Sequence, residues 1–138
     1  MILSYTCQSE INQKRNKMKI NATKNTPFVE LSPEGLMIIQ GRSIMDDPTT
    51  FFAPILHWIS ECKAPIFTLE VRMEYMNTSS SKLILYLLKT IKEYYNTRNI
   101  FVKWYYESDD EDMLDMGKDF EAITRIPIDF YEMQVDEG

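Results

Sequence analysis

The sequence predicts an α/β fold of two layers: a mixed sheet, in the order β-β-α-β-α-β-α-β, with its helices on one face. Three observations carry this. Segments of strand period and helix period follow one another from Pro27 to Met133. A short hairpin opens the series, and helix-spaced segments then separate every later pair of strands, as parallel crossovers require. The longest strand, Ile66–Met76, alternates strictly between apolar and polar residues. A strand covered by helices on both faces would be apolar on both, so one face of this sheet is open.

Phe28-Val29-Glu30-Leu31 and Leu36-Met37-Ile38-Ile39 are β-prone runs. Ser32-Pro33-Glu34-Gly35 between them places Pro early and Gly last, a hairpin turn. Gly41-Arg42-Ser43 is expected to leave the second strand. Asp47-Pro48 signals a helix start. Phe51, Ile55, Trp58 and Cys62 then follow at helical spacing and make an apolar face, which Pro54 interrupts by kinking the helix or by starting its regular part. In Ile66–Met76 the inward set is Phe67, Leu69, Val71, Met73 and Tyr75.

Asn77-Thr78-Ser79-Ser80-Ser81-Lys82 leads into a strong helix with the stripe Ile84, Leu87, Leu88, Ile91, Tyr94 and Tyr95. Asn99 turns the chain into a strand over Ile100–Tyr106, with Ile100, Val102, Trp104 and Tyr106 on one face. The acidic stretch Glu107–Glu121 becomes helical, with Met113, Met116 and Phe120 inward. Pro127–Met133 is a last strand, placed at an edge because proline begins it. Right-handed crossovers put all three helices on the same side of the sheet.

The bulk numbers limit what the chain does. It has 138 residues, 44% apolar and 26% charged, enough for one domain with a real core. A net charge of −6 argues against nucleic acid and anionic membranes as partners. No apolar run approaches 18 residues, so no membrane-spanning helix is expected. Cys7 and Cys62 lie far apart and fit neither a disulfide framework nor a metal spacing. Met1–Lys17 has no apolar signal core, and the default location is a reducing cytoplasm. These first residues carry one acid (Glu10) against three bases (Lys14, Arg15, Lys17) and show no period. Residues 1–24 are expected to be a disordered or irrelevant leader, with Met18 a possible true start, and residues 25–138 a single domain.

A catalytic set is not visible. His57 is the sole histidine and sits beside Ile55 and Trp58, a structural setting; an enzyme built on His57 and carboxylates is the weakest alternative. The four glycines are not grouped to cradle a phosphate. Ser108-Asp109-Asp110-Glu111-Asp112 lacks the register of a calcium loop, and acids at a helix N-terminus are favoured by the helix dipole. No cofactor or metal is expected.

The hydroxyl cluster is the most informative segment. Asn, Thr and Ser are good helix caps, so capping alone explains part of it. Four hydroxyls in a row, Thr78 to Ser81, exceed what a cap needs. A phosphoryl group on one of them would lie among unpaired backbone N–H groups at the positive end of a helix, and would add nearly two negative charges. Capping and modification stay equally open on this evidence.

Several blocks break the tie. Thr26-Pro27, Gly41-Arg42-Ser43, Pro54-Ile55-Leu56 with Trp58, Tyr75-Met76-Asn77-Thr78-Ser79-Ser80-Ser81-Lys82, and Trp104-Tyr105-Tyr106-Glu107 followed by Asp109-Asp110-Glu111-Asp112-Met113 occur in that order. Together they resemble the SiaC-type regulatory phosphoproteins, a bacterial family with a fold like the STAS domains of anti-sigma-factor antagonists. The resemblance covers Asn25 to Met133. It implies a phosphorylatable threonine at Thr78, with Asn77, Ser79 and Ser80 shaping the site or contacting the partner. It also implies a dedicated protein kinase, a PP2C-type phosphatase, and a diguanylate cyclase bound and activated by the unphosphorylated form, raising cyclic di-GMP and biofilm growth. The STAS antagonists carry an acid before their phosphorylated hydroxyl; Asn77 stands there in this chain. A constitutive interaction module, whose hydroxyls merely cap a helix, is the main alternative.

Overall fold

A computed structural model describes residues 17–134. Six strands form one sheet in sequence order: β1 (Met18–Ile20), β2 (Phe28–Ser32), β3 (Leu36–Ser43), β4 (Phe67–Met76), β5 (Ile100–Glu107) and β6 (Ile128–Met133). Strands β1, β2 and β3 pair antiparallel, and β3 to β6 pair parallel. Helices α1 (Thr49–Glu61), α2 (Thr78–Tyr94) and α3 (Glu111–Thr124) make the three crossovers. The two-layer α/β architecture with a mixed sheet is therefore as expected. Among the described residues no helix is long and apolar enough to cross a membrane.

The chain enters the sheet earlier than Pro27. Met18, Lys19 and Ile20 pair with Leu31, Glu30 and Val29, and Lys17 reaches Glu30 at 3.3 Å. A three-residue strand in polar surroundings has no period to read; pairing with β2 makes it. The rest of the expected leader, residues 1–16, lies outside the described residues, and so does Cys7.

The β2–β3 turn closes as expected. Gly35 donates to Ser32 at 2.9 Å and takes φ +97°, a conformation only glycine adopts without strain. Gly41, at φ +112°, does not end β3. The strand continues to Ser43, and β4 accommodates the irregularity with one extra residue: Gly41 pairs with Met73 but Arg42 pairs with Tyr75. The skipped residue, Glu74, flips the alternation beyond it. Tyr75 is therefore 48% exposed, not inward, and Met76 is buried in its place.

The core lies between the sheet and the helices. Val29, Leu31, Met37, Ile39, Phe67, Leu69, Val71 and Trp104 from the strands meet Phe52, Ile55, Ile59, Ile84, Leu87, Leu88 and Ile91 from the helices. Helix α1 runs through Pro54, and its buried residues are Phe52, Ile55 and Ile59. Phe51, Trp58 and Cys62 flank that stripe, so the expected face is rotated by part of a turn. In α2 the stripe holds up to Ile91, but Tyr94 is 54% exposed. In α3 the buried set is Met113, Gly117, Phe120 and Thr124, with Met116 at the margin. Gly117 lets α3 approach Trp104, whose buried indole Nε1 donates to the Met113 carbonyl at 3.0 Å.

Candidate functional site

Parallel pairing sends the C-terminal ends of β3, β4, β5 and β6 to one edge of the sheet, and the connections after β3, β4 and β5 gather there. The central one is the shortest. A single residue, Asn77, joins β4 to α2. Its backbone is extended, and its side-chain oxygen accepts from the Ser80 N–H at 3.1 Å, the expected helix cap. Its carbonyl accepts from the Ser81 N–H at 2.9 Å. These two bonds leave the amides of Thr78 and Ser79 as first-turn donors.

Thr78 is the first helical residue and its side chain is exposed. Ser79 is half-buried. Ser81 turns its hydroxyl back to the Thr78 carbonyl at 2.8 Å. Ser80 differs in kind: it is fully buried, and Ser43 donates to its hydroxyl at 2.7 Å. The four hydroxyls thus separate into one open to solvent at the helix head, two on the flanks and one in the core. Of the expected site residues, Asn77, Thr78 and Ser79 share the surface, whereas Ser80 is a packing contact beneath it.

The structure adds residues that the sequence reading did not place here. Asn77 donates its backbone N–H to the Ser43 carbonyl at 3.0 Å and its side-chain Nδ2 to the Met45 carbonyl at 3.1 Å. Ser43 and Met45 are more than thirty residues away in sequence, and no local pattern announces the contact. The one hint was Gly41-Arg42-Ser43 as a block. Arg42 lies over the Tyr75 ring, 5.6 Å from its centroid, so the outward flip at Glu74 gives this basic residue an aromatic platform.

The surrounding charge is acidic. Asp46 and Asp47 follow Met45; Glu107 ends β5, and Asp109, Asp110 and Glu111 follow it at the same edge. Two of these are helix-start residues: Asp47 accepts from the Thr49 N–H at 3.2 Å, and Asp110 caps α3 by accepting from the Met113 N–H at 3.0 Å. The bonds from Thr49 hold the Asp47 carboxyl below its usual range. Among the described residues no group of three or more His, Cys, Asp and Glu side chains is arranged to hold a metal ion.

The enzyme alternative needed His57 in a pocket with an acid. His57 is instead exposed on α1, with Glu61 at 3.4 Å one turn on. A cavity of about 410 Å³ opens beside Trp58, Cys62 and Ala64. It lies at the start of β4, and Thr78 lies beyond its end, ten residues or about 30 Å away. Next to that cavity, burial and the contact with Cys62 raise the Tyr95 hydroxyl above its usual titration range.

The fold and the site define a two-layer α/β domain whose central helix is headed by a run of hydroxyl residues. The chain is a member of the SiaC family of regulatory phosphoproteins: residues 20–133 match that family's sequence model. An uncharacterised protein of Pseudomonas aeruginosa (strain UCBPP-PA14) is 24% identical over 116 residues, spanning 80% of this chain and 91% of its own length. Among solved structures, SiaC of Pseudomonas aeruginosa superposes with a TM-score of 0.75 at 20% identity, covering 86% of this chain and all of that one. Its apo form gives 0.69 at 23% identity, covering 84% and 98%. A crystal structure of the diguanylate cyclase SiaD in complex with its activator SiaC, also from Pseudomonas aeruginosa, gives 0.75 at 21% identity, covering 84% and 99%. At these identities the structural likeness speaks for the fold.

Proposed function

We propose that this protein is a phosphorylation-controlled switch whose acceptor is Thr78. The observation that carries the reading is the exposure of Thr78 as first residue of α2, in a chain that belongs to a family of phosphoproteins. A protein kinase transfers the phosphoryl group, and a PP2C-type phosphatase removes it. The chain supplies the setting: free first-turn amides and the positive end of a 17-residue helix, which accommodate the added charge. Asn77 and Ser79 shape the surface that a partner reads, and Ser80 fastens it from below.

The unphosphorylated form binds and activates a diguanylate cyclase in the cytoplasm, and so controls cyclic di-GMP and biofilm growth. The reading is supported by the complex of the cyclase SiaD with its activator SiaC, a protein of the same fold. Phosphorylation places nearly two more negative charges at an edge already rich in Asp and Glu, and it weakens the docking of a partner matched to the unmodified edge.

The test is phosphate transfer. The purified protein is incubated with a candidate protein kinase from the same cell and ATP, and the product is mapped by mass spectrometry. Phosphate is expected on Thr78, and Thr78→Ala should abolish its incorporation. Phosphate on another residue would refute the assignment.

A further inference from the structure

The hydrogen bonds of Asn77 carry one inference beyond this reading, and it rests on Thr78 being the phosphoacceptor. Asparagine, aspartate and serine are near-equal helix caps, yet here they are not interchangeable. The cap itself uses only the side-chain oxygen, toward the Ser80 N–H. The nitrogen does a second job across the molecule, donating to the Met45 carbonyl in the connection between β3 and α1. An aspartate would keep the first bond and set an oxygen against an oxygen at the second.

We infer that the Asn77 carboxamide is a positioning group that couples the phosphorylation state of Thr78 to the Ile44–Asp47 segment, making this segment the second part of the surface a partner reads. Thr78 follows Asn77, and Asp46 follows Met45. The bond between Asn77 and Met45 therefore holds Asp46 and Asp47 close to the head of α2. A phosphoryl group on Thr78 acts on that bond in two ways. It competes for the Nδ2 donor, because a charged acceptor forms a stronger hydrogen bond than a carbonyl. It also repels the two carboxylates that follow Met45, those of Asp46 and Asp47. Both effects release the segment. The base of the site stays fixed, because Asn77 N–H remains on the Ser43 carbonyl and the Ser43–Ser80 hydroxyl pair is fully buried.

The Ile44 amide reports the release, since it donates to the Asn25 carbonyl at 2.8 Å. The Ser80 and Ser81 amides report the helix start. The experiment is hydrogen exchange on six full-length proteins: wild type, Asn77→Asp and Asn77→Ser, each unmodified and with phosphothreonine genetically encoded at position 78. In wild type, the modification should speed exchange over Ile44–Asp47 about tenfold or more and leave Ser80 and Ser81 within about twofold. In Asn77→Asp the segment should already exchange fast, and the modification should add less than about twofold. Asn77→Ser, a neutral cap without the Nδ2 donor, should behave as Asn77→Asp does. Unchanged exchange in modified wild type, or equal acceleration by the modification in all three backgrounds, would overturn the coupling. Because the phosphothreonine is encoded, this outcome is independent of where a kinase places phosphate, and failure of the Thr78 assignment is read separately.

Discussion

At the residue scale, Thr78 and Ser80 are neighbours in sequence with opposite environments. Thr78 is open to solvent, whereas Ser80 is fully buried against Ser43. A kinase can reach the first and not the second. The Ser43–Ser80 pair makes its own prediction. Removing one hydroxyl strands the other in the core, so Ser80→Ala should cost about 1–3 kcal/mol. Removing both should cost less than the two single changes together, and a double-mutant cycle in urea checks the coupling. Asp47 predicts a pH effect. Its bonds from Thr49 lower its pKa in the folded chain, so it stabilises the fold above its ordinary value of 3.8 and loses that contribution as pH falls through the lowered value. The stability difference between wild type and Asp47→Ala should therefore be present at neutral pH and vanish under strong acid, measured by denaturant titration across pH. The hydroxyl cluster was visible in the sequence as a cluster. The sorting of its members was not, because that depends on Ser43 and Met45 arriving from another strand.

The elements show where local pattern suffices and where it stops. Alternation in β4 revealed a half-buried strand and, through it, a one-sided helix layer; that reading needs only residues within the strand. The flip at Glu74 depends on how β4 pairs with β3 near Gly41, and a strand cannot announce its neighbour's irregularity. The consequence reaches the site, since the flip exposes Tyr75, buries Met76 and brings Asn77 to the end of β3. Strand β1 was missed for a related reason: only β2 makes it a strand. In α1 and α2 the helical period was clear, but the exact centre of the buried stripe was not, because the sheet decides which turn is covered. Gly117 tests the packing of α3. A methyl built there would lie 2.7 Å from a Phe130 ring carbon and 2.8 Å from the Trp104 indole nitrogen. Gly117→Ala should cost about 1–3 kcal/mol by overpacking and disturb the Trp104–Met113 bond, with tryptophan fluorescence in a thermal melt as the readout.

For the whole molecule, parallel topology sets the charge around the proposed switch. It brings the β3, β4 and β5 connections to one edge, with Asp46 and Asp47 in the connection on one side of β4 and Asp109 and Asp110 in the one on the other. A phosphoryl group on Thr78 adds to an existing negative field rather than creating one, in a chain of net charge −6. Any effect on a partner should therefore weaken as salt rises. The constitutive-module alternative makes the opposite prediction, that charge at position 78 is irrelevant. Thr78→Asp, which supplies one charge in place of nearly two, should reduce partner affinity several-fold, and Thr78→Ala should leave it close to wild type. The decisive measurement is the affinity of the protein for the diguanylate cyclase proposed as its partner, by calorimetry, with encoded phosphothreonine at position 78 and without it. The switch predicts that the modified protein binds at least about tenfold more weakly, roughly 1.4 kcal/mol; equal affinity of the two forms would contradict it.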